Sequence, residues 1–443
     1  MRTVFRLTGV ILLLACCGRA TGATGSRSEP VPASAPVAVP PPSQTAVDYY
    51  RSGNVLWVVN QAWALLLPCL FLFTGLSARL RDWARRLGRR WFFTVCLYFI
   101  LFFFLYCLLS LPLNFYESYI RGHAYGLSNQ TLGKWFGDAL KTFVLGVVVG
   151  VLFLWVPYLL ARKSPRRWWL YTWLLAVPLV FLAVLIAPIW IEPLFNDFHE
   201  MRNKELEGKI LALADRAGIS SDRVYEVDKS VDTKTMNAYV IGFLGTKRIV
   251  LYDTLLKRLN EREVLFVLGH EMGHYVLGHV VQGMLFTCAL ILVALCVIAW
   301  ASWRLIVRFR HCFGFDDLAD VASLPLVVLL VNVFMLVTTP GVLAFSRHLE
   351  HEADRFGLEL TRDNYAAAMS FVKFEKEDLG YPWPGSLYVI WRASHPPLGE
   401  RIEFCNEYRP WEKGEALRGL VPHAEVMAWP TARYLHLYQK KLL

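Results

Sequence analysis

Trp168–Ile191, which has the sequence WWLYTWLLAVPLVFLAVLIAPIWI, decides the fold because it contains no charged residue in 24 positions. A helix needs about 20 mostly apolar residues to cross the roughly 30 Å hydrocarbon core of a bilayer. The stretch therefore predicts a transmembrane helix. The whole chain has a matching composition, since 55% of its 443 residues are hydrophobic and only 19% are charged, against about a quarter charged in soluble domains. This composition excludes a disordered or fibrous protein.

Five other stretches pass the same test of length and apolarity, so the sequence predicts six spans. In chain order the six are 55–77, 91–113, 142–161, 168–191, 283–303 and 322–344. A long polar segment separates the first four from the last two. We therefore predict a four-span N-terminal membrane domain over 55–191 and two further spans within 283–344.

The N-terminus predicts a leader followed by a linker. Residues 1–23 combine Arg2 and Arg6 with an apolar stretch that is too short to span a bilayer, which is typical of a secretory signal. The run that ends at Cys16 also resembles a lipoprotein cleavage box, so an ordinary signal and a lipidated leader both stay open. Residues 24–54 are rich in Pro, Ala and Ser and predict a linker.

The positive charge of the chain is concentrated in two short loops. Of the net charge of +10, nine charges lie in 79–90, with six arginines and one aspartate, and in 162–167, with three arginines and one lysine. By the positive-inside rule these loops are cytoplasmic, which places 115–141, 192–282 and 345–443 on the opposite side. The basic composition is thus an orientation signal, and we expect no nucleic-acid partner.

The polar segment 192–282 predicts a small α+β unit. Its predicted elements are a helix over 203–217 ending at Gly218, β-rich runs at 224–227, 236–243 and 248–252, and a helix from about Glu261 to Val280. The last helix leads into a cluster of histidines, which makes this segment the candidate catalytic region.

A His-Glu-x-x-His motif lies on that helix at His270, Glu271 and His274. Residues four apart share a helix face, so both imidazoles can reach one Zn²⁺ at about 2.0–2.1 Å. Glu271 lies about 100° around the helix, where its carboxylate can contact a zinc-bound water without occupying a ligand position. The motif predicts metal-assisted hydrolysis.

A catalytic zinc site also needs a third protein ligand. The spacing of His279 from the motif does not match the metzincin pattern, so we expect it to be a helix-end or supporting residue. Beyond the sixth span, Glu350, His351 and Glu352 are each chemically reasonable ligands, and the sequence chemistry leaves the choice open. Asp354 lies one helical turn after Glu350 and could accept a hydrogen bond from a ligating imidazole.

With these residues in place, the sequence resembles the membrane-integral CAAX prenyl protease family of zinc metalloendopeptidases, which are gluzincins. The resemblance covers roughly 115–402. Its motifs, in family order, are GLSNQT at 126–131, PLFN at 193–196, NAYV at 237–240 with GF at 242–243, HEMGH at 270–274, Ser346-Arg347-x-x-Glu350-x-x-Ala353-Asp354, and HPP at 395–397.

The resemblance implies a mainly α, multi-pass helical membrane protein with a zincin-like α+β catalytic domain, formed by 192–282 together with 345–443. It implies one Zn²⁺ per chain, with Glu350 as the third ligand. It also implies that Asp354 supports the ligand histidine and that His395 hydrogen-bonds the developing oxyanion.

The same resemblance implies how a substrate binds. It places Asn237, with Ala238 and Tyr239, on an edge strand that pairs with an extended peptide, which supplies backbone affinity with little sequence selectivity. The expected partners are a peptide or protein substrate and the lipid bilayer, while the oligomeric state is left open.

Three departures from the family stand out in the sequence. Position 351 is His where the family usually has an aromatic residue, and six spans are predicted where the larger members have seven. Eukaryotic members hydrolyse on the cytosolic side, whereas the arginine loops and the leader predict a bacterial cytoplasmic membrane protein with its active site outside the cytoplasm. A prenylated substrate and the quality control of envelope proteins without a prenyl group are therefore both open.

Two other hypotheses about the function have less support in the sequence. A multi-pass transporter or sensor with an incidental motif predicts polar residues within the spans, but apart from Asn60, Gln61 and Asn332 these are nearly absent. An inactive scaffold predicts the loss of a catalytic residue, yet Glu271 and the three implied ligands are all present.

Overall fold

The computed structural model describes residues 35–219, 223–241 and 248–417. The predicted leader, including Cys16, lies outside these residues, as does the C-terminal part of the tail from residue 418. The helices, in chain order, are α1 Gln44–Phe73, α2 Leu76–Gly88, α3 Trp91–Phe115, α4 Leu132–Phe153, α5 Trp155–Lys163, α6 Trp168–Ile186, α7 Lys204–Arg216, α8 Glu261–Val276, α9 His279–Phe313, α10 Leu324–Thr361, α11 Asn364–Glu377, α12 Ser386–Trp391 and α13 Leu398–Glu407.

Within the described residues, six helical stretches are long and apolar enough to cross a membrane, which confirms the predicted number. They are Gln44–Phe73, Trp91–Ala124, Leu132–Lys163, Trp168–Leu194, His279–Phe313 and Val321–Thr361. Several extend beyond the apolar stretches from which they were predicted, because helix propensity and capping continue the hydrogen bonding past the last apolar residue.

The first span illustrates this extension. Its helix begins at Gln44, inside the range that composition assigned to the linker, because the Ser43 hydroxyl accepts a hydrogen bond from the Ala46 amide at 3.1 Å and caps the helix. The boundary at residue 54 therefore falls within α1, and the Pro-rich part of the linker ends before it.

The three predicted strands are present and form one small mixed sheet with a fourth strand, Phe198–Glu200, that was not predicted. The four strands are β1 Phe198–Glu200, β2 Val224–Val227, β3 Ala238–Ile241 and β4 Arg248–Tyr252. Their order across the sheet is β1-β2-β4-β3, with β2 and β4 parallel and the other two pairs antiparallel. Among the described strands, β3 therefore has only β4 as a neighbour and forms an edge of the sheet.

The helix that carries the histidine motif is shorter than predicted. It ends at Val276, where Gly278 adopts a left-handed conformation with φ of 68°, and the next helix begins at His279. Glycine takes up this conformation without the steric penalty of a Cβ atom. The break redirects the chain from α8 into the fifth span and places His279 at the start of a new helix.

The arginine-rich connections meet at one end of the helical bundle. Arg81 of α2 donates to Asp320 at 2.8 Å and to the Gly314 carbonyl at 2.9 Å, both in the connection between α9 and α10. The Tyr158 hydroxyl of α5 lies 3.2 Å from that of Ser323. The segments predicted for the opposite side also meet one another, since an isolated β-bridge joins the 115–141 connection to the segment that follows β2.

Two kinds of packing hold these regions. The main core lies between the sheet and helices α7, α8, α10, α11 and α13, with fully buried side chains that include Ile210, Ile249, Leu268, Phe356 and Ile402. The membrane helices instead expose many large apolar side chains, as expected where hydrocarbon replaces water. The catalytic segments thus have a soluble-type core attached to a lipid-facing bundle.

Candidate metal centre

The histidine motif lies on a helix whose start is well defined. Asn260 and Glu263 form a reciprocal capping box, in which each side chain accepts a hydrogen bond from the other residue's backbone amide. This cap fixes the first turn of α8, and the apolar side chains that follow are buried in the main core. His270 is carried on this buried face.

Helix α10 brings the second part of the site against α8. The two helices approach so closely that a Cβ atom at Gly357 would lie 2.9 Å from the backbone nitrogen of His270, and one at Gly273 would lie 3.2 Å from Cα of Ala353. Glycine is required where backbones come this near. The small residues within and after the motifs therefore determine the helix spacing at the site.

Three side chains converge between these helices. Nε2 of His270 lies 3.2 Å from Nε2 of His274 and 3.3 Å from Oε2 of Glu350, and Nε2 of His274 lies 3.6 Å from Oε1 of Glu350. Their potential ligand atoms all lie within 4.8 Å of one another. Two imidazoles and a carboxylate at this spacing can hold one metal ion.

The surroundings of Glu350 fit a bound cation. The residue is only 3% exposed, and its Oε2 atom is buried without a hydrogen-bond partner among the described residues. A buried carboxylate oxygen without a partner is costly, so a ligand is the natural explanation. A donor set of two His and one Glu is also one of those that bind catalytic zinc.

A second set of contacts orients His270. Its Nδ1 lies 2.8 Å from Oδ1 of Asp354, and because a carboxylate only accepts, Nδ1 carries the proton and leaves the Nε2 lone pair free for a metal. Asp354 in turn accepts two hydrogen bonds from the Arg401 guanidinium, at 2.6 and 2.8 Å. Sequence reasoning missed Arg401, because nothing in the local pattern distinguishes it from a surface arginine.

His279 contacts the other ligand histidine. Its Nδ1 lies 2.9 Å from Nδ1 of His274, and the side chain is buried. With Nε2 of His274 facing the metal position, Nδ1 of His274 donates and His279 accepts. His279 therefore has the geometry of a supporting residue, as its spacing predicted, and it does not face the cluster formed by His270, His274 and Glu350.

The other two candidates for third ligand point elsewhere. The His351 ring packs 4.4 Å from the ring of Phe404, measured between centroids, and Glu352 pairs with Arg355 at 2.5 Å. Among these three neighbours, Glu350 alone enters the cluster within the described part of the chain. His351 is thus in an aromatic environment even though it replaces the family's aromatic residue.

Glu271 lies beside the cluster without joining it. Its Oε1 atom is 4.0 Å from Nε2 of His270, and burial raises its pKa to about 7 although the neighbouring His270 opposes the shift. Together with His270, it lines a cavity of about 370 Å³ whose wall includes Phe266, Phe371 and Leu398. The carboxylate thus faces the largely apolar space that a substrate would enter.

His395 completes the cavity wall on the opposite side. Its Nε2 lies 3.3 Å from Oε2 of Glu350, and its Nδ1 lies 2.9 Å from the Ser394 hydroxyl. The side chain is about half exposed. If Nε2 carries the proton, it is a hydrogen-bond donor that faces the metal position and the open cavity.

The three residues predicted to bind substrate lie at the start of the edge strand. Asn237 and Ala238 line the catalytic cavity, and the Asn237 side chain accepts a hydrogen bond from the Ala238 amide at 3.0 Å. Tyr239 differs, because its hydroxyl donates to Glu192 at 2.7 Å. Only the backbone of Tyr239 is therefore available for pairing with a peptide.

Comparisons with known proteins agree with this architecture. The profile of peptidase family M48 matches residues 200–409, and that of the CAAX prenyl protease N-terminal region, described as five membrane helices, matches 26–197. Within the described part of 26–197 there are four candidate spans and the short helix α2.

Relatives match over most of the chain. An uncharacterized metalloprotease of Bacillus subtilis, YhfN, is 38% identical over 83% of this chain and 86% of its own. A CAAX prenyl protease 1 homolog of Dictyostelium discoideum is 31% identical over 81% of this chain and 83% of its own. The crystal structure of S. mikatae Ste24p has the same fold, with a TM-score of 0.71 at 23% identity, covering 81% of this chain and 87% of that one.

These matches span both the membrane helices and the catalytic segments, and they agree with the six spans and the His-His-Glu cluster. The resemblance inferred from the motifs is thus confirmed. The chain belongs to the CAAX prenyl protease family of peptidase family M48, and it is a multi-pass membrane metalloendopeptidase.

Proposed function

We propose that the chain binds one Zn²⁺ through His270, His274 and Glu350 and hydrolyses peptide bonds with Glu271 as the general base. The observation that carries the proposal is the convergence of these three ligands beside a recessed carboxylate and an open cavity. When bound, zinc would polarise the scissile carbonyl and lower the pKa of a coordinated water.

The protein's own residues have distinct tasks in this reaction. Glu271 takes a proton from the attacking water and delivers it to the leaving amine. His395 donates a hydrogen bond to the oxygen on which negative charge develops. Asp354 and Arg401 are positioning residues, because Asp354 orients His270, while Arg401 holds Asp354 and lies 3.9 Å from Oε2 of Glu350.

The substrate is proposed to be an extended peptide that pairs with the edge strand. Strand β3 has an open side among the described strands, and its start at Asn237 and Ala238 lines the catalytic cavity. Backbone pairing explains affinity for many sequences, while the apolar wall of the cavity favours a hydrophobic side chain next to the cut.

Exchanging Glu271 for glutamine tests the function. We expect purified Glu271→Gln to keep about one zinc per chain by elemental analysis and to lose at least about 100-fold in the rate of cleavage of a quenched fluorescent peptide, since a general base contributes about 10²–10⁴. Glu261→Gln is the matched control, because this exposed glutamate lies in the first turn of the same helix. Unchanged turnover in Glu271→Gln would remove the proposed base.

The orientation of the site is a separate part of the proposal. The arginine-rich connections lie at one end of the bundle and the catalytic segments at the other, so the positive-inside rule favours a non-cytoplasmic active site in a bacterial cytoplasmic membrane. Topology reporters fused near residue 230 and near residue 85 test this in cells. A cytoplasmic reporter near residue 230 would reverse the orientation.

A further inference from the structure

Two of the family motifs, GLSNQT at 126–131 and PLFN at 193–196, contain no residue of the proposed catalytic machinery. The first follows the second span, and the second begins at the end of the fourth. Residues in and directly before these motifs contact the edge strand β3 and the segment that leads into it. The motifs therefore connect the membrane helices to the strand that is proposed to bind the substrate.

Strand β3 has few contacts of its own that fix its position. It has four residues, and among the described strands its single neighbour is β4. The preceding residues 234–237 belong to no helix or strand. A short strand with ladder hydrogen bonds on one side only is weakly constrained. Its alignment with the catalytic cavity therefore depends on contacts from outside the sheet.

The 126–131 loop holds the chain that leads into β3. The Leu127 carbonyl accepts a hydrogen bond from the Lys234 amide at 3.0 Å. The Asn129 backbone amide donates to the Asp232 carbonyl at 3.1 Å, and its side-chain amide donates to the Ser230 carbonyl at 2.9 Å. Because these bonds are made to backbone groups, the loop fixes the path of the chain itself.

An ion pair ties the same segment to a membrane helix. The Asp232 carboxylate pairs with Lys134, in the first turn of α4, and with Lys229 at 3.2 Å. The Asp232 side chain is only 15% exposed, and a pair that is largely shielded from water is screened less by salt than an exposed one. The third span and the 126–131 loop therefore hold the segment from the same side.

A second contact holds β3 directly. The Tyr239 hydroxyl donates to Glu192 at 2.7 Å, and Glu192 directly precedes the PLFN motif at the end of the fourth span. Lys141 of α4 donates to the Leu194 carbonyl at 2.9 Å and so fixes that end. Side chains alternate along a strand, and Ala238 faces the main core. A slip of β3 by one residue would therefore break the contact with Glu192 and expose a core position.

Resting on the proposed peptidase function, we propose that Asn129 and Glu192 are positioning residues that align β3, and through it the bound peptide, with the metal position. Neither residue lines the catalytic cavity. The membrane helices thereby contribute to substrate binding, although the metal ligands lie on α8 and α10. Peptide–strand hydrogen bonds form equally in the ground state and the transition state, so their loss raises KM and leaves kcat unchanged.

The test uses quenched fluorescent peptides and the zinc-loaded, full-length protein. Each peptide carries one N-methylated backbone amide, away from the scissile bond, or none. In the wild type we expect N-methylation to lower kcat/KM about 3- to 10-fold at the positions that pair with β3, as for the loss of one hydrogen bond.

Variants then locate the alignment. In Asn129→Ala and in Glu192→Ala we expect KM for the unmodified peptide to rise about 3- to 10-fold, while kcat stays within about twofold and zinc remains at about one per chain. The penalty for N-methylation should shrink to less than about twofold, because the pairing that it measures is already lost.

Conservative exchanges and a control sharpen the result. Glu192→Gln keeps an acceptor for the Tyr239 hydroxyl and should restore most of the affinity. Tyr239→Phe should match Glu192→Ala, and the double variant should be no worse than either. Asp228→Asn is the matched control, because this carboxylate begins the same connection but contacts His199 and Arg202. Its KM and its N-methylation penalty should equal those of the wild type.

Two results would overturn the proposal. One is a wild-type KM in Asn129→Ala and Glu192→Ala. The other is a joint fall of kcat and kcat/KM in these variants with an unchanged N-methylation penalty, which indicates a structural role alone. The penalty is a ratio measured on one protein sample, so it does not depend on the fraction that folds.

The wild-type data separate this inference from the peptidase proposal. If the zinc-loaded protein cleaves no peptide, the peptidase function fails. If it cleaves every N-methylated peptide as fast as the unmodified one, the peptide does not pair with β3, and the alignment by Asn129 and Glu192 is refuted while the peptidase function stands.

Discussion

Two buried arginines occupy opposite ends of the molecule and make similar contacts with different consequences. Arg401 donates two hydrogen bonds to Asp354, which is only 1% exposed. Asp354 also accepts a hydrogen bond from His270. Arg81 donates to Asp320, which lies in a connection between two spans and contacts no catalytic group. The Arg401–Asp354 pair thus contacts His270, a candidate metal ligand, whereas the Arg81–Asp320 pair connects two loops.

The comparison shows that the role of an ion pair depends on which other groups its two members contact. At the catalytic end the carboxylate is shared between a guanidinium and an imidazole, so its removal changes the orientation of a ligand. At the loop end the same chemistry connects α2 to the segment before α10. We therefore expect the two pairs to respond differently to equivalent substitutions.

The largest effect is expected at the catalytic end, where His395 faces the cavity. His395→Ala should lower kcat about 10²- to 10³-fold, as the loss of one oxyanion donor does, and should leave zinc content near one per chain. The readouts are steady-state kinetics and elemental analysis. His199→Ala is the control, because this exposed histidine pairs with Asp228 on the far side of the sheet. Zinc loss in His395→Ala would argue against an oxyanion role.

Breaking the catalytic pair has the next largest effect. Asp354→Asn should weaken zinc binding about 10- to 100-fold, the usual result of losing an outer-shell partner of a ligating histidine. It also removes the closer of the two carboxylates beside the buried Arg401, the other being Glu350 at 3.9 Å, so the melting temperature should fall. Competition with a zinc chelator measures the affinity. Wild-type zinc affinity in this variant would refute the orienting role of Asp354.

The loop pair should show the smallest effect. Asp320→Asn is expected to lower the free energy of unfolding by about 1–3 kcal/mol, the contribution of a charged hydrogen bond, without changing zinc content or kcat/KM of the folded protein. Thermal unfolding in detergent provides the measurement.

Asp82→Asn is the matched control for Asp320→Asn. Asp82 also contacts Arg81, at 3.0 Å, but its side chain is half exposed, so its loss should change stability by less than about 1 kcal/mol. If Asp320→Asn reduced zinc affinity as much as Asp354→Asn does, the contrast between the two ends would be invalid.

Much of the fold could be predicted because its determinants are local. A span is specified by its own length and apolarity, and six stretches passed that test and became six helices. The pairing of His270 with His274 follows from the period of a single helix. The break at Gly278 could not be predicted from that period, since an apolar pattern continues through Val280 and only the backbone conformation of the glycine interrupts it.

Other parts of the candidate site depend on contacts that are distant in sequence. Glu350 reaches the histidines from the far end of the sixth span, whereas its neighbours His351 and Glu352 lie on other sides of α10 and make other contacts. Sequence chemistry alone left these three open, and the family resemblance supplied the choice. Arg401 had no sequence signal at all.

By itself the sequence determined that this is a membrane-spanning chain with a metal-binding helix, because apolar length and helical period are properties of consecutive residues. Tertiary structure decided what the motifs could not show: how Glu350 approaches both histidines, and which arginine holds the carboxylate that orients His270. Those outcomes depend on how closely helices approach and on what burial leaves without a partner. Both the approach of the helices and the burial of polar groups arise only when separate segments of the chain pack together.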